Sequence, residues 1–433
     1  DIDVDGTTNL DVVDIDGAVD MASTLTLAGN ADFNGNLDVD GTTDLDGLTV
    51  AGNLSVDGGT IKLDGNFPTG ADNVALGNNT LNGSISGAGN IAIGDSVGSA
   101  ITSGSNSVAI GRDALAGIYT GGDAIAIGRG ALAALTSGNN NTAIGGLALT
   151  ANTTGAANTA VGKGALAANT TGASNTAIGD TALAVNTTGT SNVAVGHNAL
   201  DANTEGLYNS ALGGHALGGN TTGDNNISVG FNSSKNNTTG SNNVALGYVA
   251  LSTNTTGSQN VAIGREALEK NTTASNNTAV GYQALEENTT GNNNVAVGYT
   301  AGAAVTTGVQ NTLIGGLAGD ALTDADFNTA IGHLALSSDT LGSRSTAIGM
   351  NTLRDQNFTS ATETYNVAVG HGAGLLVTTG TQNTLIGGLA GDAITTANNN
   401  TAVGYASLGT NTTGSENTAL GGGALDANTT AND

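Results

Sequence analysis

The chain has no cysteine, no tryptophan and one proline, Pro68. Without cysteine there can be no disulfide staple, thiol nucleophile or thiolate metal site. Aromatic residues make up 3% of the 433 positions, too few for an ordinary packed core of this size. Basic residues are also scarce. Nine Lys and Arg face 36 Asp and Glu, a formal net charge of −27. That balance argues against nucleic acid or an anionic membrane surface as a partner. No run of 18 apolar residues occurs, so no membrane insertion is expected. No cofactor is expected either. What is abundant is Gly, with 69 residues, alongside Asn, Thr and Ala. Such a mixture fits either disorder or a repeat array burying small residues in register, and periodicity decides between them.

The period is 17. An Ala-aliphatic-Gly string places an anchor glycine at Gly77, Gly94, Gly111 and onward to Gly349 at that spacing. One step of 21 leads to Gly370, and Gly387, Gly404 and Gly421 resume the period. This gives 21 repeats with one four-residue insertion, in the segment Arg354 to Tyr365. Random low-complexity sequence does not hold such a register. The predicted fold is all-β: a parallel β-solenoid, or β-roll, of 17-residue coils, with no room for a helix in each turn. Coils stacked at about 4.8 Å would make a rod roughly 100 Å long.

Within a unit, the residue before the anchor is Ile, Val or Leu, and the fourth residue after it is usually Leu, as at Leu166, Leu183 and Leu200. Both suit the lumen of a coil. Two before the anchor stands Ala, at Ala160, Ala177, Ala194, Ala245, Ala262 and Ala279. In a strand it points opposite to its aliphatic neighbour. A face of Ala and Gly suggests a flat wall packed against another chain; a smooth wall open to water is the alternative. Asn recurs seven after the anchor, from Asn152 and Asn169 through to Asn288, which predicts a column of amides hydrogen-bonded along the axis. It also opens an N-T-T sequon, but ladder packing explains the recurrence better. Gly ten after the anchor, as at Gly155 and Gly172, is expected to close a turn with positive φ.

Residues 1–66 differ. Blocks such as N-L-D-V-D-G alternate apolar residues with Asp, the pattern of short strands with one buried face. A single copy buries too little to stand alone, and three wrapped together could close a thin shaft. Through residue 72 this part holds 15 of the acids, all Asp. The expected organisation is an Asp/Gly-rich β shaft over 1–66, a junction over 67–72 around Pro68, and the solenoid rod over 73–433. Neither end carries a polar cap, so a longer protein is expected.

The N-[ST]-x-A-[IV]-G-x-x-A pattern, as in Asn260 to Ala267, resembles the head repeats of trimeric autotransporter adhesins. Those heads are parallel β-rolls of three chains side by side, built from repeats shorter than 17. The Asp/Gly shaft looks more like segments of bacteriophage tail fibres, which are also trimeric. The combination implies a structural fibre, an elongated homotrimer attaching a virion to a host cell surface. Its partners would be its own copies, other virion proteins and a host-surface receptor, polysaccharide included. A bacterial surface adhesin is the alternative. The location implied is the virion or the cell surface.

Candidate sites are few. Aromatics just after the anchor form a broken column, Phe231, Tyr248, then Arg265, then Tyr282 and Tyr299, with Tyr405 further on. Exposed rings can stack on sugars, which makes these the candidate receptor contacts; covering the coil edge or packing on a neighbour is the plainer reading. Glu269 and Glu286 lie five after adjacent anchors and would stack roughly 5 Å apart. Paired carboxylates at that spacing can hydrolyse glycosides, as a polysaccharide-cleaving tailspike would. Lys270 over Glu287 partly neutralises the group, which favours a solvated charge cluster and no enzymatic role. The histidines His197, His215, His333 and His371 do not recur in a metal-binding column. Paired Thr in each unit raise ice binding, but sequence neighbours face opposite sides of a strand, leaving one outward column.

Overall fold

A computed structural model describes residues 72–82 and 85–432. The proposed shaft over 1–66 and all but the last residue of the junction lie outside the described residues. The described residues form an all-β parallel solenoid of about 20 turns, without a helix. Each turn contributes one three-residue strand ending just before its anchor glycine, from Val74–Leu76 to Thr418–Leu420. Together they build one 21-stranded parallel sheet. The register is the sequence period itself: Val261 pairs with Thr278, Ala262 with Ala279, Ile263 with Val280. At the insertion Thr346 pairs with Val367, so four extra residues bulge out without breaking the sheet. They form a small second sheet, in which Gly342–Ser343 pairs with Thr362–Glu363.

Hydrogen bonds between coils continue round the whole section, not only in the sheet. Thr153 N–H donates to Thr170 O at 2.9 Å, Leu166 N–H to Ala182 O at 3.0 Å, and Gly162 N–H back to Ile144 O at 2.8 Å. The backbone of each turn is thereby satisfied by its neighbours, as buried polar chain requires.

The facing of the strands corrects one expectation. The middle residue of a strand is buried and its two neighbours point outward, as in Thr176–Ile178 and Val193–Val195. Ala160, Ala177, Ala194, Ala245, Ala262 and Ala279 are therefore not a packing face between chains; each is fully buried inside its own coil. The aliphatic residue expected in the lumen instead faces solvent, with Ile178 41% and Leu212 52% exposed. The physical reason is the width of the lumen. The leucine four after the anchor does fill it, at Leu166, Leu183 and Leu200, and only Ala fits opposite. Two turns show the exchange directly. Leu313 and Leu385 replace the inward Ala, and Gly319 and Gly391 replace the lumen Leu. A Cβ on Gly319 would lie 2.7 Å from a Leu313 methyl. The other Leu313 methyl would lie 2.6 Å from a Cβ on Gly302 of the preceding turn, so volume is conserved across adjoining turns, as close packing demands.

The lumen leucines sit at positive φ, +54° at Leu183 and +50° at Leu268. A bulky residue pays for that conformation with backbone strain, and burial offsets it. Anchor glycines are required for two reasons. Gly264 has φ +135°, and a Cβ there would come 2.3 Å from Gly281 O. Gly155, Gly172, Gly189, Gly223, Gly240 and Gly257 do not have the positive φ expected of them. Close approach selects them: a Cβ on Gly172 would lie 2.3 Å from Gly189 O and 2.5 Å from Asn169 Oδ1.

The amide column forms as expected. Asn169 Nδ2 donates to Asn152 Oδ1 at 3.0 Å, and the pattern repeats to Asn288 on Asn271 at 3.0 Å. Val305 follows, so the last acceptor, Asn288 Oδ1, is left without a partner. A second buried amide column, four before the anchor, was not anticipated. Asn158 N–H donates to Asn141 Oδ1 at 3.0 Å, while its Nδ2 donates to Gly172 O at 2.9 Å. Its signal, the Asn opening each N-T-A-I-G, was in the sequence. Tyr119 is fully buried, with its hydroxyl donating to Gly122 O at 2.8 Å.

Candidate functional site

Residues just after the anchor leave the strand at the corner of the coil, so successive side chains stack on the outer surface at the rung spacing. The structure brings five of the six candidate contacts into one ladder. Phe231 and Tyr248 are stacked, with centroids 6.0 Å apart and planes 14° from parallel. Arg265 follows, its guanidinium carbon 5.7 Å from both the Tyr248 and the Tyr282 ring. Tyr282 and Tyr299 are stacked at 5.5 Å and 10°. Tyr405 lies six turns further along and is 68% exposed. Two residues not anticipated extend the ladder at its other end. His215 sits edge-on to Phe231 at 6.1 Å, and His197 edge-on to His215 at 5.4 Å.

This geometry changes what the ladder can do. Ring faces inside the stack are covered by the next ring or by the guanidinium, so a sugar cannot lie flat on them. Ring edges, tyrosine hydroxyls and guanidinium edges face outward. The ladder therefore presents hydrogen-bonding groups on a stiff apolar support. Arg265 is neutralised locally, with Nε donating to Glu266 Oε1 at 2.9 Å.

The same Glu266 joins the predicted acidic pair. Carboxylate oxygens of Glu266, Glu269 and Glu286 lie within 4.8 Å of one another. Burial raises the pKa of Glu269 and of Glu286, and mutual repulsion among the carboxylates raises both further. Lys270 pairs with Glu287 beside them, as the stacking implied. Such a cluster can share protons. The hydroxyl of the first Thr in each N-T-T is taken by the next turn, as in Thr153 Oγ1 to Thr170 O at 3.0 Å, and the second, such as Thr154, is exposed. Of the histidines, only His197 and His215 touch each other.

The fold thus defines the class, a parallel β-solenoid of short single-strand turns. Compared with known proteins, the chain matches no protein-family model and no curated protein.

Proposed function

We propose that this chain is the rod of an elongated homotrimeric fibre that attaches to a host cell surface, a viral tail fibre in the first instance. The observation that carries this reading is the outward aliphatic column. The residue before the anchor is Ile, Val or Leu in all 21 strands, and it faces solvent along the whole sheet. Nine of these residues are 36–78% exposed and the other twelve partly exposed, so the column offers on the order of 1,000 Å² of apolar surface, against about 800 Å² per partner in a standard interface. Monomers rarely leave such patches open. The occupant best matched to a column of this length and rise is another copy of the same rod. Three copies follow from the resemblance to trimeric adhesin heads, and closed symmetry uses the column fully. The aromatic ladder begins two residues beyond this column, at the corner where the strand ends, and borders it along the rod.

The mass of the particle in solution tests this. Light scattering should give three times the 41.8 kDa chain mass. Ile178→Lys with Ile263→Lys on the outward column should lower it to that of one chain with the coil intact. A wild-type monomer would overturn the reading. A bacterial surface adhesin would use the same rod; it predicts a membrane anchor encoded in the same gene, whereas a viral fibre predicts a virion-attachment segment.

A further inference from the structure

The four-residue insertion builds a notch on the outer surface of the coil. The extra residues carry Ala361, Thr362 and Glu363 outward, over a floor made by Asp326–Phe327 and Ser343–Arg344 of the two preceding turns. The open notch has a volume of about 210 Å³. That is below the roughly 300–1,000 Å³ of sites for drug-sized ligands, so it suits a single ring.

We propose that this notch binds one neutral pyranose unit of a glycan. The lining is amphipathic in the way such a ring requires. Phe327 is 41% exposed and, with one face covered by the Arg344 guanidinium, offers the notch its apolar edge, with the Ala361 methyl beside it. Polar groups surround it: the Asp326 and Glu363 carboxylates, the Ser343 and Thr362 hydroxyls and the Arg344 guanidinium. Several are held in place by the fold. Asp326 Oδ1 accepts from Val309 N–H at 2.7 Å, and Ser343 Oγ accepts from Asp326 N–H at 2.9 Å. Arg344 Nε donates to Glu363 Oε1 at 3.1 Å, and Tyr365 hydroxyl donates to Glu363 Oε2 at 2.6 Å. The terminal nitrogens of Arg344 and Asp326 Oδ2 have no hydrogen-bond partner among the described residues. A fixed fork of donors next to a fixed acceptor matches vicinal hydroxyls.

Charge selects the neutral ligand. Two carboxylates against one guanidinium repel an acidic sugar or a phosphate. An incoming cation finds the aromatic surfaces already occupied, since Arg344 lies 4.6 Å from the Phe327 centroid and 6.0 Å from that of Tyr365. The site lies within one chain, so it does not rest on the trimer.

Saturation-transfer NMR on the full chain tests it, with methyl α-D-glucopyranoside, methyl α-D-mannopyranoside, methyl β-D-galactopyranoside and N-acetylglucosamine as probes and choline as the cationic control. At least one glycoside should bind, in the millimolar range expected of a single ring. Phe327→Ala should weaken it about tenfold, the scale of one aromatic contact. Glu363→Gln, which keeps the shape, should weaken it as well. Tyr208→Ala, an exposed ring outside both the notch and the ladder, should leave it unchanged. Transfer to none of the glycosides overturns the proposal. So does transfer lost in Tyr208→Ala and kept in Phe327→Ala, or binding of choline in their place.

Discussion

Removing one rung of the amide column should cost more than its hydrogen bonds alone, and a second removal next to it should cost less. Asn203 is fully buried. Its Nδ2 donates to Asn186 Oδ1 at 2.8 Å and to Gly206 O at 3.1 Å, and its Oδ1 accepts from Asn220 Nδ2 at 2.9 Å. In Asn203→Ala, Gly206 O keeps a donor, since Asn192 Nδ2 reaches it at 2.8 Å. Asn220 Nδ2 keeps Gly223 O at 3.0 Å. Asn186 Oδ1 keeps nothing. The loss is a few hydrogen bonds at about 1 kcal/mol each plus one orphaned buried acceptor at about 1–3 kcal/mol, or roughly 3–5 kcal/mol. Asn186→Ala costs the same by the same argument and orphans Asn169 Oδ1. The double variant still orphans only Asn169 Oδ1, so it should fall short of the sum of the singles by about 2 kcal/mol. Stacked repeats can open locally, so the assay is native-state hydrogen exchange on the turns carrying Asn186 to Asn220, backed by urea unfolding. Additivity of the two changes to within about 0.5 kcal/mol, or a single-variant cost below about 1 kcal/mol, would refute the reasoning.

Other expectations follow from the same geometry. Gly264→Ala combines a forbidden φ with a Cβ 2.3 Å from Gly281 O, and should lower stability by about 3 kcal/mol or more; Gly146→Ala, with nothing within 4 Å, should stay within about 0.5 kcal/mol in a thermal melt. Raised carboxyl pKa values mean that the fold binds protons more tightly than the unfolded chain does. Through Glu269, Glu286 and the buried Asp339, stability should therefore fall as pH rises from the ordinary carboxylate value of about 4 through the raised values. The melting temperature should be higher near pH 5 than near pH 7, and Glu286→Gln should flatten the difference. Burial pushes the Tyr119 hydroxyl up to about 12. Tyr365 is also raised, by its hydrogen bond to Glu363, so an ultraviolet titration of Tyr119→Phe should lose one late-ionising tyrosine relative to wild type, together with the stability lost across that step.

The period, the anchor, the lumen leucine and the first amide column were legible in the sequence because each is a strict residue choice repeated at a strict interval. The direction of the strand was not. Val-Ala-Val in a strand can bury either its small or its large residues, and a rule that puts bulk inside chooses the wrong side. The deciding quantity is the width of the lumen, which depends on where Leu183 projects from the far wall. The compensation of Leu313 by Gly319 was visible as two separate oddities and becomes one only when the chain closes on itself. The ladder was legible as a column, while the stacking that hides its ring faces was not, because side-chain tilt is not written in spacing. The notch escaped because Phe327, Arg344 and Tyr365 share a face only after four inserted residues are looped out.

The paired exchange at Leu313 and Gly319, echoed at Leu385 and Gly391, has an evolutionary corollary. Because Leu313 also fills the space beside Gly302 of the turn before it, and Leu385 that beside Gly374, such turns can be duplicated, lost or shuffled only as blocks that carry both neighbours. Length then becomes a digital trait, adjustable in steps of about 4.8 Å, while outward-facing residues drift freely toward new surfaces to be recognised.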